Sequence, residues 1–450
     1  MCLIVSLGLV EAVPLGFYRF RLVDLVLHLS VVYFVGLTLA KRVSRAAVVW
    51  LLLTHASLLA VRVAADVQAG LDAEGRRTLF GMTALYLAPV IFFVVRESRL
   101  TAQRAWTLVL VACGVCLLSQ LGLLPWAESY ASGTVTLGQL LNIPPRTLIE
   151  LPYQETTITV WRALSVGLTI AALLASTGLG VKCLGLAGLF VQFAGGGGGR
   201  SQFLFAIAAP LVLVLARRRL GRRALPVRLA LATAIGVALA GFYLWSPIGA
   251  RGAVKGDFKQ THYERVSELF TILSGWQAVS DAGGLNGRTI GYAEYWTRIT
   301  SDPQTFWFGV GLTGGPTFVD TPNKLAHNMV LDVWALSGLV GLAFHLVFVG
   351  WVLADIRQLL ASAPAAGPGQ MVAFTYATAA IYLFQWLLFQ AAGVDRSFMI
   401  VFYLLAGVLR PLAWSLQQPP QPRRLARLSP RPARGAFGPS FSVPPLPSAS

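Results

Sequence analysis

The sequence has few charged residues for its length, and acidic residues are the scarcest. Only 12% of its 450 residues are charged, and 19 Asp and Glu stand against 36 Lys and Arg. With 56% hydrophobic residues, such a chain has too little polar surface to face water on its own. The composition therefore excludes an ordinary water-soluble globular protein, and it predicts that lipid is the main solvent.

Cysteine and histidine are also scarce, which limits the possible metal and redox chemistry. There are four cysteines, and although Cys113 and Cys116 have CxxC spacing, no second pair and no nearby histidine accompany them. We interpret them as packing residues and expect neither a disulfide framework nor a zinc site. The polar loops contain no Asp-x-Asp pair, so the sequence predicts a protein that uses no metal and no other cofactor.

Long apolar runs are what the sequence has in abundance. Each covers roughly 17 to 25 residues, the length that an α-helix needs to cross about 30 Å of hydrocarbon. They predict an all-α integral membrane protein, a bundle of about 12 transmembrane helices with a large outward loop that carries short helices. The runs are 2–18, 22–40, 46–65, 78–95, 105–124, 159–176, 178–194, 201–216, 228–246, 328–353, 370–391 and 397–414.

Composition divides the chain into four regions. Residues 1–246 hold predicted transmembrane helices 1–9, 247–326 form the large polar loop, and 327–416 hold helices 10–12. Residues 417–450 are rich in Pro, Arg and Ser, and we expect a disordered tail because they cannot bury enough apolar area to offset the entropy of ordering. The first run lacks a preceding basic stretch and a small-residue cleavage site, so we expect it to be retained.

The basic residues indicate how the chain is oriented in the membrane. With the N-terminus in the cytoplasm, they concentrate in the short inward loops, as the positive-inside rule requires. We therefore expect both termini to be cytoplasmic and residues 125–158 and 247–326 to face outward. The formal net charge of +17 is then explained without nucleic acid, because the basic residues are not interleaved with aromatic ones on a polar face. The basic residues of the inward loops are Lys41, Arg42, Arg45, Arg96, Arg99, Arg104, Lys182, Arg217, Arg218, Arg219, Arg222, Arg223 and Arg357.

The loop 247–326 has amphipathic segments at 265–275 and 292–299, whose apolar positions recur at helical spacing. We expect short helices that lie along the outer membrane interface, because aromatic residues are enriched there. The expected aromatic belt comprises Tyr292, Tyr295, Trp296, Phe306, Trp307 and Phe308.

Three polar features lie at the outward ends of apolar runs. In the first, five glycines at 195–199 precede Arg200 and Ser201, where an apolar run begins. Open backbone amides, an arginine and the positive end of a helix together favour binding of an anion. The alternative is a flexible turn with an arginine that reaches towards the membrane surface.

The second feature is Arg288, which follows the turn dipeptide AsnGly and precedes the aromatic segment with Trp296. By itself it is more typical of a solvated loop arginine than of a catalytic one. The third is His327, which with Asn328 stands at the outward end of a long apolar run. An imidazole there can be neutral near pH 7 and accept a proton from a substrate.

In this order and placement, the segments resemble the O-antigen ligase and polymerase family of bacterial membrane glycosyltransferases, with the GT-C type of architecture. The resemblance also includes GlyValGly at 309–311 and SerGlyLeuValGly at 337–341, and it covers roughly residues 190–345. One position departs from the family pattern: Leu336 stands where an acidic residue is common. Asp332, one turn earlier, is the carboxylate that could take its place.

The resemblance implies transfer of a glycan from a polyprenyl-diphosphate carrier to a sugar hydroxyl, such as that of the lipid A core, at the periplasmic face of the bacterial inner membrane. Arg200 and Arg288 would hold the diphosphate, and His327 would accept the proton of the attacking hydroxyl. Ser201, Trp296 and Asn328 would complete the substrate site. The reaction would invert the anomeric carbon and need no metal.

Two other functions stay open from the sequence. A polymerase of the same family differs only in its acceptor, a second lipid-linked repeat. A transporter or flippase for lipid-linked glycans would instead be expected to show inverted repeats and ionisable groups near the bilayer midplane.

Overall fold

The structure is a computed structural model. It describes residues 13–15, 18–20, 22–40, 63–64, 67, 70, 87–98, 100–120, 155–175, 177–194, 283–310, 328–389 and 396–417. The predicted runs 201–216 and 228–246, nearly all of 46–65, the segment 265–275 and the tail beyond residue 417 lie outside these ranges.

The described residues are almost entirely α-helical. Ten helices occur within these ranges: α1 Leu22–Leu39, α2 Pro89–Arg96, α3 Ala102–Gln120, α4 Glu155–Leu174, α5 Leu179–Ala194, α6 Gly283–Ser301, α7 Pro303–Phe308, α8 Met329–Ser362, α9 Pro368–Phe389 and α10 Arg396–Gln417. The predicted all-α fold is confirmed to this extent. Helices α1, α3, α4, α5, α9 and α10 follow predicted apolar runs closely, and α2 covers the end of the run 78–95. Helix α8 begins with the run 328–353 but continues beyond it to Ser362.

Two of these helical segments, Met329–Ser362 and Met399–Gln417, are long and apolar enough to cross a membrane by length and composition. Four more apolar helical segments are shorter: Leu25–Leu39, Ala102–Leu118, Trp161–Leu174 and Leu179–Gly188. The predicted total of about 12 spans stays a prediction.

The helix predicted over 2–18 is wrong at residues 13–15. Val13–Leu15 (β1) and Tyr18–Phe20 (β2) form an antiparallel pair, with Val13 opposite Phe20 and Leu15 opposite Tyr18. Pro14 is the reason, because proline lacks an N–H donor and clashes with the preceding helical turn. A hydrophobic run of sufficient length therefore does not become helical at this point.

Glycines allow several helix pairs to pack closely. A Cβ on Gly185 of α5 would lie 2.9 Å from the carbonyl oxygen of Thr169 in α4, and one on Gly407 of α10 would lie 2.9 Å from that of Phe92 in α2. At Gly167 of α4, a Cβ would collide with the backbone of α9. Small residues at such crossings bring helix backbones together, as is usual where van der Waals packing drives helix association.

An aromatic cluster joins α2, α8, α9 and α10. The ring centroids of Phe348 and Tyr403 are 4.6 Å apart, those of Phe92 and Phe348 are 4.9 Å apart, and those of Phe384 and Phe402 are 5.2 Å apart. All three pairs meet edge to face, the arrangement that the ring quadrupoles favour. Phe92, Phe348, Phe402 and Tyr403 belong to the main hydrophobic core, and Phe384 packs against it.

A salt bridge links α2 to the C-terminal part of α8. Arg96 Nη2 donates to Asp355 Oδ1 at 3.0 Å, with side-chain exposures of 16% and 2%. The guanidinium also lies 5.2 Å from the ring centroid of Phe92. Within the described ranges, Asp355 Oδ2 has no hydrogen-bond partner, so the carboxylate depends on Arg96 for its direct ion pair.

Replacing Asp355 with Ala should lower the free energy of unfolding by about 3 kcal/mol, because a largely buried guanidinium would lose its counter-charge. Thermal unfolding of the purified protein in detergent measures this loss. The matched control is Arg357→Ala, which removes an exposed charge two positions along the same helix. If the two variants unfold at the same temperature, the ion pair does not stabilise the bundle.

Candidate functional site

Helix α8 begins with an asparagine cap. Asn328 has extended backbone angles (φ −145°, ψ 115°), and its side-chain Oδ1 accepts from the N–H groups of Val330 at 2.9 Å and Leu331 at 3.4 Å. Asparagine favours this position because its short side chain reaches backbone donors that have no partner inside the helix. Asn328 therefore has a structural role that the prediction of a substrate contact did not include.

Asp332 completes the cap from within the first turn of α8. Its Oδ2 accepts the backbone N–H of Asn328 at 3.1 Å, and its residue exposure is 1%. Asn328 and Asp332 thus hold each other in place, as in a capping box with the acid one position later than usual. This geometry gives the carboxylate noted in the sequence a definite contact.

Helix α7 is a short element that ends against α8. Asp302 is its N-cap and accepts from Thr305 N and Oγ1, both at 2.8 Å, while Pro303 occupies a position where its missing N–H costs little. The hydrogen bonds from Thr305 lower the pKa of the Asp302 carboxyl. The charged cap thus persists down to a lower pH than for an isolated aspartate.

Two hydrogen bonds attach α7 and the segment that follows it to α8. Val310 N donates to Ala335 O at 2.8 Å, and Trp334 Nε1 donates to Phe306 O at 3.0 Å. Helix α8 departs from helical angles at Gly338 (φ 68°, ψ −176°). Because such a break frees the carbonyls of the preceding turn, Ala335 O can accept from outside its helix.

Gly309 and Gly338 bring the two backbones into direct contact. Gly309, which ends α7, has a φ of 75°, and Gly338 has a φ of 68°. A Cβ on Gly309 would collide with the backbone of Leu336 and Ser337, and one on Gly338 would collide with the backbone of Trp307 and Phe308. Both the backbone conformation and the lack of space therefore require glycine at these two positions.

Helix α6 packs on the same turns of α8. Tyr295 and Ile299 form a small hydrophobic cluster with Ala335, and the rings of Trp296 and Trp334 meet edge to face with centroids 5.5 Å apart. The rings of Phe306 in α7 and Trp334 also meet edge to face, with centroids 5.2 Å apart. We call the assembly of α6, α7 and residues 328–338 of α8 the cap module.

The aromatic belt predicted from the sequence is wrong for Tyr295, which is only 2% exposed. Tyr295 and Ile299 are four residues apart, so they lie on one helix face, and that face packs against α8. Trp296, Trp307 and Phe308 are 51%, 50% and 49% exposed and remain available at the surface of the cap module.

The structure describes only some of the predicted site residues. Asn328 and Trp296 belong to the cap module, and Arg288 lies on α6 about two helical turns before Tyr295. Only the backbone is described at Arg288. Arg200, Ser201 and His327 lie outside the described residues, although His327 directly precedes the cap residue of α8.

Sequence reasoning missed Trp334 and Asp302. The Asp-Pro dipeptide at 302–303 is a helix-start signal that could have located α7. Trp334 stands in an apolar run, and no local pattern indicates that its indole nitrogen bonds to a residue 28 positions earlier. Among the residues that the structure describes, no group of three His, Cys, Asp or Glu is placed to hold a metal ion.

Replacing Gly338 with Ala should destabilise the protein by about 3 kcal/mol, because alanine disfavours this φ and its methyl group meets the α7 backbone. Gly309→Ala should destabilise the protein by a similar amount, for the same two reasons. Gly350→Ala is the control on the same helix: a Cβ there meets nothing within 4 Å. That change should leave stability unaltered or raise it by about 0.5 kcal/mol.

Thermal unfolding of the three variants in detergent tests this contact. Similar unfolding temperatures for Gly338→Ala and Gly350→Ala would show that the two backbones do not approach each other as described.

No family model matches this chain, and no curated protein matches it. Its function is therefore argued from its own residues. These residues provide a capped helix start that follows His327 in the sequence and the packed rings of Trp296, Phe306 and Trp334. They also provide an adjoining helix that carries Arg288.

Proposed function

We propose that this chain is a membrane glycosyltransferase of the O-antigen ligase type. It would move a glycan from a polyprenyl-diphosphate carrier to a sugar hydroxyl, that of the lipid A core, at the periplasmic face of the bacterial inner membrane. One observation carries the proposal: α6, the helix of Arg288, packs on the first turns of α8, and the N-cap residue of α8, Asn328, directly follows His327 in the sequence. Of the three proposed catalytic residues, Arg288 thus lies on a helix of the cap module, and His327 directly precedes the module's Asn328 in the sequence.

The membrane arrangement belongs to the same proposal. Among the described helices, α8 and α10 contain the two segments that are long and apolar enough to cross a bilayer. The orientation follows from the expected concentration of basic residues in the short inward loops. We place the cap module on the outer side and both termini in the cytoplasm. A lipid-linked donor could then reach the site from the outer leaflet.

The chemistry requires stabilisation of a leaving group more than activation of the sugar. As the acceptor oxygen bonds to the anomeric carbon, the bond from that carbon to the diphosphate oxygen breaks, and the lipid diphosphate leaves with an additional negative charge. Arg288 and Arg200 would meet this charge with bidentate hydrogen bonds, without a metal. His327 would take the proton of the attacking hydroxyl, and attack opposite the leaving group inverts the anomeric carbon.

The exposed aromatic side chains of the cap module suit a substrate with sugar and lipid parts. Trp296, Trp307 and Phe308 are each about half exposed, while the buried face of α6 is already occupied by α8. Tryptophan presents an apolar ring and a polar N–H, and it is favoured where hydrocarbon meets water. We assign Trp296 to the substrate site on this basis.

Replacing Arg288 with Ala should lower the rate of glycan transfer on the order of 100- to 1000-fold, because one donor to the leaving diphosphate is lost. Arg200→Ala should have a similar effect, and His327→Ala should abolish transfer. The assay uses purified protein in vesicles with polyprenyl-diphosphate glycan and a lipid A core acceptor. Arg298→Ala, an exposed arginine in the last turn of α6, is the matched control and should retain activity.

Equal activity of the Arg288→Ala and Arg298→Ala proteins, or transfer by folded His327→Ala protein, would contradict the assigned roles. A strain that lacks the chain identifies the acceptor. Loss of all glycan from the lipid A core is expected for a ligase, whereas a single attached repeat would indicate a polymerase. Accumulation of donor on the cytoplasmic side would indicate a flippase.

A further inference from the structure

Three charged side chains meet near the end of α8 that lies away from the cap module. Arg96 is the last residue of α2, and Arg410 lies about two turns before the end of α10. Asp355 of α8 lies roughly 25 Å along the helix from Gly338. Arg410 is close enough to Arg96 and to Asp355 to interact electrostatically with both. Two guanidinium groups therefore share one carboxylate.

Close packing of α2 and α10 brings the two arginines together. A Cβ on Gly407 of α10 would lie 2.8 Å from the Cβ of Val95 and 2.9 Å from the carbonyl oxygen of Phe92. Arg96 directly follows Val95 on α2. Arg410 lies about one turn beyond Gly407 on α10. Because like charges repel each other, this arrangement is favourable only if negative charge compensates for it.

The shared carboxylate pairs directly with only one of the arginines. Asp355 Oδ1 accepts from Arg96 at 3.0 Å. Arg410, by contrast, makes no hydrogen bond and no ion pair with any residue that the structure describes, and its Nε is buried. Glu97, another acid that acts on Arg96, is exposed to water, which screens its charge. A buried polar atom without an acceptor is costly, so Arg410 requires an acceptor from outside these residues.

The surroundings of Arg410 are typical of a membrane interface. Its guanidinium lies 5.1 Å from the ring centroid of Trp414, which is one turn later on α10 and 40% exposed. The helical segment Met399–Gln417 is long and apolar enough to cross a membrane, and Arg410 lies in its second half. Tryptophan is enriched at the level of lipid headgroups, and arginines near helix ends extend towards that level. A lipid headgroup could therefore reach this guanidinium.

We propose that Arg410 and Arg96, beside Trp414, bind the phosphate of an anionic phospholipid such as phosphatidylglycerol. Phosphate oxygens accept bidentate hydrogen bonds from guanidinium groups, and the negative charge would compensate for the second arginine. Basic pockets between transmembrane helices bind anionic headgroups in this way. The site is independent of the proposed transfer reaction, because none of its residues belongs to the cap module.

Two variants separate this site from a general attraction of anionic lipid to positive charge. Arg410→Met removes the guanidinium but keeps an unbranched apolar side chain beside Trp414. Arg357→Ala is the matched control, because it removes an exposed arginine two positions after Asp355 on α8. Native mass spectrometry of the purified full chain in neutral detergent measures lipid binding. The protein is titrated with phosphatidylglycerol, with phosphatidylcholine of the same acyl chains, and with phosphatidylglycerol in the presence of inorganic phosphate.

The unmodified protein and Arg357→Ala should bind phosphatidylglycerol with similar Kd values. Arg410→Met should bind it about 10- to 100-fold more weakly, because charge-assisted hydrogen bonds to the phosphate are lost. Phosphatidylcholine should bind to the unmodified protein about 10-fold more weakly or worse, and inorganic phosphate should not displace the lipid. Equal affinity of Arg410→Met and the unmodified protein for phosphatidylglycerol would overturn the proposal. An equal loss in Arg357→Ala, equal binding of the two lipids, or displacement by phosphate would overturn it as well.

Thermal unfolding separates lipid binding from a role of Arg410 in the fold itself. Without lipid, Arg410→Met should unfold at the same temperature as the unmodified protein or at a higher one, because the removed charge has no ion pair among the described residues. Phosphatidylglycerol should raise the unfolding temperature of the unmodified protein and of Arg357→Ala, but not that of Arg410→Met. A loss of stability in Arg410→Met that is the same with and without lipid would overturn the proposal, since the guanidinium would then already have its partner within the chain.

Discussion

The close approach of the α7 and α8 backbones at Gly309 and Gly338 is the constraint on which the candidate site depends. It allows α7 to end directly against the break in α8, and only there can Val310 N reach Ala335 O and Trp334 Nε1 reach Phe306 O. These contacts in turn place Phe306 and Trp334 where α6 adds Trp296. A methyl group at either glycine would separate the two backbones. Because packed interiors have little free volume, the rings of Trp296, Phe306 and Trp334 would then have to move as well.

The hydrogen bonds and packing of the cap module explain how the first residues of an apolar helix can be held in one orientation. Helix ends ordinarily fray, because their first N–H groups have no partner in the helix. At α8 the side chains of Asn328 and Asp332 supply partners for three such groups, and α6 and α7 cover the same turns. A catalytic group attached to this segment would be oriented before substrate arrives, which is the condition under which proximity lowers a reaction barrier.

Much of the helical framework was predictable, because hydrophobic length is a local property of the sequence. Helices α1, α4 and α9 follow their apolar runs to within a few residues. The error at Val13–Leu15 arose where length was considered without Pro14. The candidate site was predictable only in part. Gly309 and Gly338 both belong to motifs that the sequence shows, but nothing local indicates that each of them lies against the backbone of the other helix. Tyr295 was misassigned for the same reason, since which face of α6 is buried depends on the partner helix and not on α6 alone.

The central claim is that the cap module binds a lipid-linked diphosphate. Photo-crosslinking with a diazirine analogue of polyprenyl diphosphate, followed by mass spectrometry of the labelled peptides, tests it most directly. The account predicts labels within residues 283–310 and 328–338 that unlabelled polyprenyl diphosphate competes away. Competable labels confined to the other end of α8, around Asp355 and Ser362, would contradict it.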